Sequence, residues 1–413
     1  MAQEPASAPA DRRSPCPRGI VIWSWAIYDL ANTIYSAIVI TRYFVPYMHK
    51  RDVAGIWISV ATVLSMFAAG LASPYAGALM DRIGRGRTLL FGSTISCVAL
   101  TAALALPAGN VFLLVAYGAS NFFYNIALVF YNAYLPHLGS QERWGRISGL
   151  GTGVGYVGLI PAIYAAALVQ REAGTMAAVF PMAAAAFLVL SLPAFATLPS
   201  VPPAPAAARE SPLSRLWKSA REIWRDRQAR IFFAGNFLCT DVLNTLILWI
   251  FVYVEKAFEF SEDEKNLYQA AMVVSNIACS LVAGWLSDRS GARKAFLVSA
   301  LCLLGALLIA GAATSKAVLF WATVPLAGFG LGGIWTAGRK LLFELSPPGR
   351  LGEYSGFYGF TGKVSSFTTL IYGGLSMVGG AAGHRAAILA LAAPVAAGIW
   401  LIASLRETGK PPR

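Results

Sequence analysis

Between residues 20 and 405 the chain is a succession of apolar runs, each of about 20 residues or more, parted by short polar breaks. A run of that length satisfies its own backbone hydrogen bonds in lipid only as a helix. A closed barrel is the other spanning solution. It would show alternating strands of about 10 residues, and the sequence has none of that pattern. The runs fall at 20–46, 54–80, 88–107, 110–136, 147–169, 174–197, 229–254, 266–287, 294–314, 317–345, 355–379 and 384–405. Twelve transmembrane helices are therefore expected, and the fold class is an all-α polytopic membrane protein. Composition agrees, because 57% of residues are hydrophobic and 13% charged, too few charges to cover a soluble chain of this size.

The net charge of +13 gains its meaning from placement. Lys and Arg collect in alternate gaps: Arg82, Arg85 and Arg87; Arg143 and Arg146; the stretch from Arg209 to Arg230; Arg289, Arg293 and Lys294; and Arg350. Both tails are basic as well, whereas the opposite gaps hold few basic residues, such as Lys50, Arg51, Arg171 and Lys316. This asymmetry puts both termini in the cytoplasm of a multi-pass protein of the cell inner (plasma) membrane, and it accounts for the charge better than nucleic-acid binding does. Residues 1–19 are expected to be a polar cytoplasmic tail and not a cleaved signal peptide. Cysteines 16, 97, 239, 279 and 302 form no Cys-x-x-Cys pair, and the histidines at 49, 137 and 384 are scattered. No metal site, cofactor or nucleotide loop is expected, and neither is an enzyme.

Two motifs repeat at nearly the same interval. Asp29-x-x-Asn32-Thr33 returns as Asp241-x-x-Asn244-Thr245, and the loop Gly77 to Arg87 after the second run returns as Gly284 to Lys294 after the eighth. The chain is thus a duplication of six spans, with parallel halves at 20–197 and 229–405 and a short tail at 406–413. The joint, 198–228, starts Pro-rich and continues into a segment patterned as an amphipathic cytoplasmic helix at the headgroups.

The repeated loop, Gly77-x-x-x-Asp81-Arg82-x-Gly84-Arg85-x-Arg87 and Gly284-x-x-x-Asp288-Arg289-x-Gly291-x-Arg293-Lys294, resembles the signature of the major facilitator superfamily in its usual place after spans 2 and 8. The resemblance covers the whole chain. It implies a secondary transporter working by alternating access, usually a monomer, with spans 1, 4, 7 and 10 lining a central cavity. Asp81 and Asp288 are placed to approach a helix N-terminus and to pair with Arg82, Arg85, Arg289 or Arg293, latching one state of a gate. A plain basic anchor loop is the other reading.

Further blocks resemble the vacuole effluxer branch of that superfamily. They are Trp25-Ala-Ile-Tyr28-Asp29-Leu-Ala31-Asn32, Phe130 to Pro136, Gly145 to Gly151, and Gly332-Gly333 with Arg339, followed by Glu353 to Gly359 and Lys363 to Ser366. The resemblance implies efflux of amino acids. Departures at Cys239, Val242 and Trp335, where the branch usually has Tyr, Gly and Gln, change residues expected to face the cavity.

A charged side chain in lipid faces a cavity or a partner, because insertion costs it about 2.5–3.5 kcal/mol. Trp25, Asp29, Asn32 and Ser36 share one helical face, as do Asp241, Asn244, Thr245 and Trp249. The expectation is that these faces meet across the cavity, with Asp29 and Asp241 binding a proton, another cation or a substrate ammonium. Alternatively each Asp caps a helix break or pairs with Arg339 or Lys363. Asn121, Asn125 and Asn132 share a face of span 4, either for a polar solute or as interhelical glue. Tyr268, Gln269 and Asn276 are the polar residues of span 8. Trp249 and Trp335 suit an aromatic wall over an amine, and Arg339 suits a substrate carboxylate. The glycines of span 5, from Gly149 to Gly158, permit close helix contact. The function expected is transport of a small polar solute, an amino acid or related zwitterion, with proton coupling. A lipid, lipid-linked or sugar-like solute on the same fold is the alternative, and a receptor or scaffold a remote one.

Overall fold

A computed structural model of the chain describes residues 18–201, 203, 212–364, 367–377 and 379–406. The expected N-terminal tail up to residue 17, positions 202 and 204–211 of the joint, Ser365 and Ser366, and the tail from 407 lie outside the described residues. Every regular element among the described residues is helical.

The spans run over 18–49 (span 1), Gly55–Ile83 (2), Gly86–Ala103 (3), Asn110–His137 (4), Gln141–Ala173 (5), Met176–Thr197 (6), Arg227–Phe258 (7), Glu262–Ser290 (8), Ala292–Ala312 (9), Lys316–Leu345 (10), 351–376 (11) and Gly380–Ala403 (12). Ten of them are long and apolar enough to cross a membrane on length and composition alone. Spans 1 and 11 complete the twelve. Span 1 is α-helical over Arg18–Tyr35, widens to a π-helix over Ser36–Tyr43, and tightens again over Phe44–His49. The described parts of span 11 are Leu351–Val364 and Phe367–Ser376. Span 5, which corresponds to span 11 in the duplication, divides into Trp144–Val157 and Leu159–Ala173 about Gly158.

Local chemistry sets the helix ends. The Asp226 carboxylate accepts the Gln228 amide at the start of span 7. Ser261 and Glu264 cap one another reciprocally at the start of span 8. Gly84, with φ +67°, ends span 2 in the left-handed region that side chains avoid. Large apolar side chains such as Val63, Val111, Trp321 and Trp400 point outward, as a surface bathed in acyl chains requires.

Within the first half, span 4 packs on spans 2 and 3, and span 1 on span 6. Within the second, span 10 packs on spans 8 and 9, and span 12 on span 7. The halves join where span 2 lies against span 11 and span 5 against span 8. Glycines make these approaches close: a Cβ on Gly145 would stand 2.5 Å from the Gly284 carbonyl, and one on Gly77 would collide with the Gly352 carbonyl. The joining contacts run through Trp144–Val157 and Leu351–Val364, while Leu159–Ala173 packs on span 6 and Phe367–Ser376 on spans 7 and 12. The halves therefore meet at the end that carries Asp81 and Asp288, called the basic end below. A further helix, Pro212–Arg225, packs on spans 2 and 7 there.

Candidate functional site

The central feature is an ion pair between the halves. Span 1 is held to span 4 by Trp25, whose indole N–H donates to the Tyr131 carbonyl at 3.0 Å and whose ring stacks on Tyr131 at 4.5 Å. Tyr28 adds a second ring 5.4 Å from Tyr131 and a hydrogen bond to Thr94 in span 3. These contacts turn the next helical position, Asp29, toward span 10. There the Arg339 Nη2 lies 3.9 Å from Asp29 Oδ2, and the two side chains keep 8% and 16% of their exposure. Arg339 also donates to the Thr152 hydroxyl of span 5 and the Trp335 carbonyl, and its guanidinium sits 5.7 Å from the Trp25 ring centre. Span 5 closes over the pair because it carries glycine here. A Cβ at Gly151 would stand 2.5 Å from the Trp25 ring, and one at Gly155 would stand 3.4 Å from Asp29 Oδ2. One helical turn beyond Asp29, the buried Asn32 carboxamide has no hydrogen-bond partner among the described residues.

Asp241 is not the facing member of this site, contrary to the expectation from the repeated motif. It is fully buried, and its Oδ2 accepts the Thr368 amide of span 11 at 2.9 Å. Asn244 donates to the Gly362 carbonyl of the same span, at 3.1 Å. Thr245 bonds the Thr368 and Thr369 hydroxyls. The Asp-x-x-Asn-Thr motif of span 7 thus ties Leu351–Val364 and Phe367–Ser376 to span 7. The physical reason is local: polar groups buried inside a bundle need partners, and for the Thr368 amide that partner is the Asp241 carboxylate beside it.

The remaining candidates divide in the same way. Asn121 donates to Ser65 in span 2, and Asn125 to the carbonyl and carboxamide oxygens of Asn121, so both act as glue within the first half. Trp249 stacks on Tyr372 at 4.9 Å and Trp335 on Tyr156 at 6.4 Å; each has its own partner and they form no single wall. Lys363 donates to Ser73 in span 2 and to the Gly359 carbonyl.

At the basic end the two copies of the repeat make the same contact twice. Asp81 accepts the amides of Gly352 and Glu353 at 2.9 and 3.0 Å, at the start of span 11. Asp288 accepts the amides of Gly145 and Arg146 at 2.8 and 2.9 Å, at the start of span 5. Each carboxylate in one half therefore sits on a helix N-terminus of the other, where the dipole and two free N–H groups favour an anion. The arginines expected to share this latch lie at its margin. Arg82 and Arg85 are exposed, Arg289 covers the Trp285 ring of its own helix, and Arg293 donates to carbonyls at the end of span 12. The basic partners of Asp288 are Lys340 at 2.8 Å, itself buried beside Glu344, and Arg146 at 3.7 Å. Next to Asp81, the buried Glu353 receives Arg350, which also pairs with Glu222 of the Pro212–Arg225 helix. Sequence reading gave no site role to Lys340, Glu353, Thr152 or Tyr131, although Glu353 and Tyr131 stand in the blocks noted above. Only Lys340 carried a usable signal, as a second cation beside Arg339 inside an apolar run.

Twelve helices in two halves, joined by a charged pair and by two matched carboxylate contacts, have the architecture of a membrane transporter. The chain belongs to the Major Facilitator Superfamily, which it matches over residues 23–367 and 236–413. It is 26% identical to the uncharacterised MFS-type transporter YxiO of Bacillus subtilis (strain 168) over 369 residues, covering 83% of this chain and 85% of that protein. An uncharacterised protein of Aquifex aeolicus (strain VF5) is 25% identical over 356 residues, 86% of this chain and 89% of that one. Among solved structures, the human organic anion transporter MFSD10 superposes with a TM-score of 0.75 at 17% identity, covering 94% of this chain and 100% of that chain. The E. coli fucose:proton symporter FucP superposes with a TM-score of 0.73 at 15% identity, covering 96% and 100%. The protein is thus a multi-pass membrane transporter of small molecules and not an enzyme.

Proposed function

We propose that the chain is a secondary active transporter for a small zwitterion, an amino acid or close relative, with a proton as the coupling ion. Asp29 and Arg339 supply the two charges of the site: the substrate carboxylate takes Arg339, and its ammonium or a proton takes Asp29. The observation that carries this reading is the pair itself, one long contact of 3.9 Å between halves that must separate when the bundle rocks. A loose pair opens to a ligand that replaces both partners at once, whereas removing one partner leaves the other charge buried alone. The blocks shared with the vacuole effluxer branch point the same way. In this reading both termini are cytoplasmic in the cell inner membrane, the protein works as a monomer, and the latched basic end is the closed cytoplasmic gate.

Proteoliposome uptake of radiolabelled zwitterionic, anionic and uncharged solutes, with and without a pH gradient, tests it. The expected result is zwitterion uptake that responds to the gradient and disappears in Asp29→Asn and Arg339→Ala, both remaining folded and inserted. Loss of zwitterionic and uncharged solutes alike in Arg339→Ala removes the carboxylate role, and normal uptake by Asp29→Asn removes the proton role. Uptake of organic anions alone assigns the site to Arg339 without Asp29.

A further inference from the structure

Span 10 also crosses the seam between the halves, where it lies against the Trp144–Val157 part of span 5. The crossing is polar and buried. The Ser148 hydroxyl donates to the Thr336 carbonyl at 3.1 Å, and the Thr152 hydroxyl donates one turn back to the Ser148 carbonyl at 3.1 Å. The Thr152 oxygen in turn accepts from two groups of span 10, the Thr336 hydroxyl at 3.5 Å and the Arg339 Nη2. Ser148, Thr152 and Thr336 are all buried. Of the bonds across this seam, the one from Arg339 carries a charge and is the strongest. It is also the one that a ligand can take over. Thr152 gives its own proton to Ser148, so it is not stranded when Arg339 leaves. A carboxylate offers the guanidinium two anionic oxygens where Thr152 offers one neutral oxygen.

The same two stretches of helix build the latch. Span 5 supplies the Gly145 and Arg146 amides to Asp288, and span 10 supplies Lys340, the residue after Arg339. Whatever draws Arg339 away from span 5 therefore loosens the seam that the latch closes.

We propose that Thr152 is a positioning residue that tethers Arg339 to the first half in the latched state and yields it to the substrate carboxylate, so that loading the site removes one bond holding the basic end shut. The proposal rests on reading Arg339 as the carboxylate partner.

Pulsed EPR distances between labels replacing the exposed Arg82 and Arg289, in full-length protein in nanodiscs, test it. Without ligand, Thr152→Val should raise the ratio of open to latched protein about 10- to 150-fold, the worth of one hydrogen bond to a charged group. Thr152→Ser, which keeps the hydroxyl, should restore the wild-type distribution. Acetate and glycine should move the wild type toward the open distance and methylamine should not. In Thr152→Val the two carboxylates should add nothing. Ser148→Ala, which removes a neutral bond across the same seam, should open the protein less and keep the response to acetate and glycine. An unchanged distribution in Thr152→Val, a Thr152→Ser that behaves as Thr152→Val does, a carboxylate response of wild-type size in Thr152→Val, or a wild-type response to methylamine as large as that to acetate each overturn the proposal. The two readings fail separately. If Arg339→Ala binds acetate and glycine as the wild type does, the carboxylate assignment is wrong. If binding needs Arg339 but leaves the wild-type distances where they were, that assignment stands and the release proposed here does not.

Discussion

Replacing Asp288 by Asn isolates what the latch contributes to choosing between two states of the bundle. The carboxylate makes two kinds of contact. Lys340 lies in its own half and stays beside it whichever way the halves rock. The amides of Gly145 and Arg146 belong to the other half and are lost when the basic end opens. Only the second kind biases the equilibrium. A hydrogen bond to a charged group is worth about 1.5–3 kcal/mol and a neutral one about 0.5–1.5 kcal/mol. Asn keeps one oxygen, so two charged bonds become one neutral bond. The latched state then loses about 2.5–4.5 kcal/mol relative to the open one, a change of about 60- to 2000-fold in their ratio. Spin labels at the exposed positions 82 and 289, one on each half at the basic end, report the separation. Asp288→Asn should move the distance distribution toward the long component. Lys340→Met should do the opposite, because an Asp288 deprived of its cation leans harder on the two amides. An unchanged distribution in Asp288→Asn, or the same shift in both variants, refutes the division of contacts made here.

Other expectations follow from the same contacts. Gly352→Ala places a methyl against the Gly77 carbonyl and 2.8 Å from Asp81, and should destabilise the protein by about 1–3 kcal/mol in thermal unfolding. Gly92→Ala, whose Cβ meets nothing within 4 Å, should not. Asp241→Asn should lower the melting temperature through the weakened bond to the Thr368 amide, at about 1 kcal/mol, and leave transport in place, whereas Asp29→Asn should stop transport. Equal transport losses in the two variants would remove the distinction between structural tie and site. Glu222→Gln should loosen the Pro212–Arg225 helix, raising its hydrogen exchange while spans 7 and 8 stay protected.

The spans were legible because their length and hydropathy repeat, and the observed helices overlap every expected one with ends shifted by a few residues. The duplication was equally plain. The division of span 5 was not. Nothing local marks Gly158 as a turn in an otherwise helical pattern. Asp241 misled for a related reason: periodicity gives the face a residue occupies, and the neighbour across that face decides its work. Asp29 and Arg339 were both picked out, but their pairing depends on how span 1 meets span 10 between halves, which no spacing encodes. The latch arginines had the right charge at the right end, yet Asp288 found its cation in Lys340, two spans away.

The receiving side of both latches is main chain. Gly145, Arg146, Gly352 and Glu353 contribute peptide N–H groups, which every amino acid except proline carries. A different side chain at Arg146 leaves its donor in place, whereas any Cβ at Gly145 or Gly352 crowds the carboxylate it serves, so the lock is sensitive at its two keys and at those two glycines. A directed-evolution library aimed at the gate should therefore recover changes at Asp81 and Asp288, or prolines and bulky intrusions opposite them, and little else.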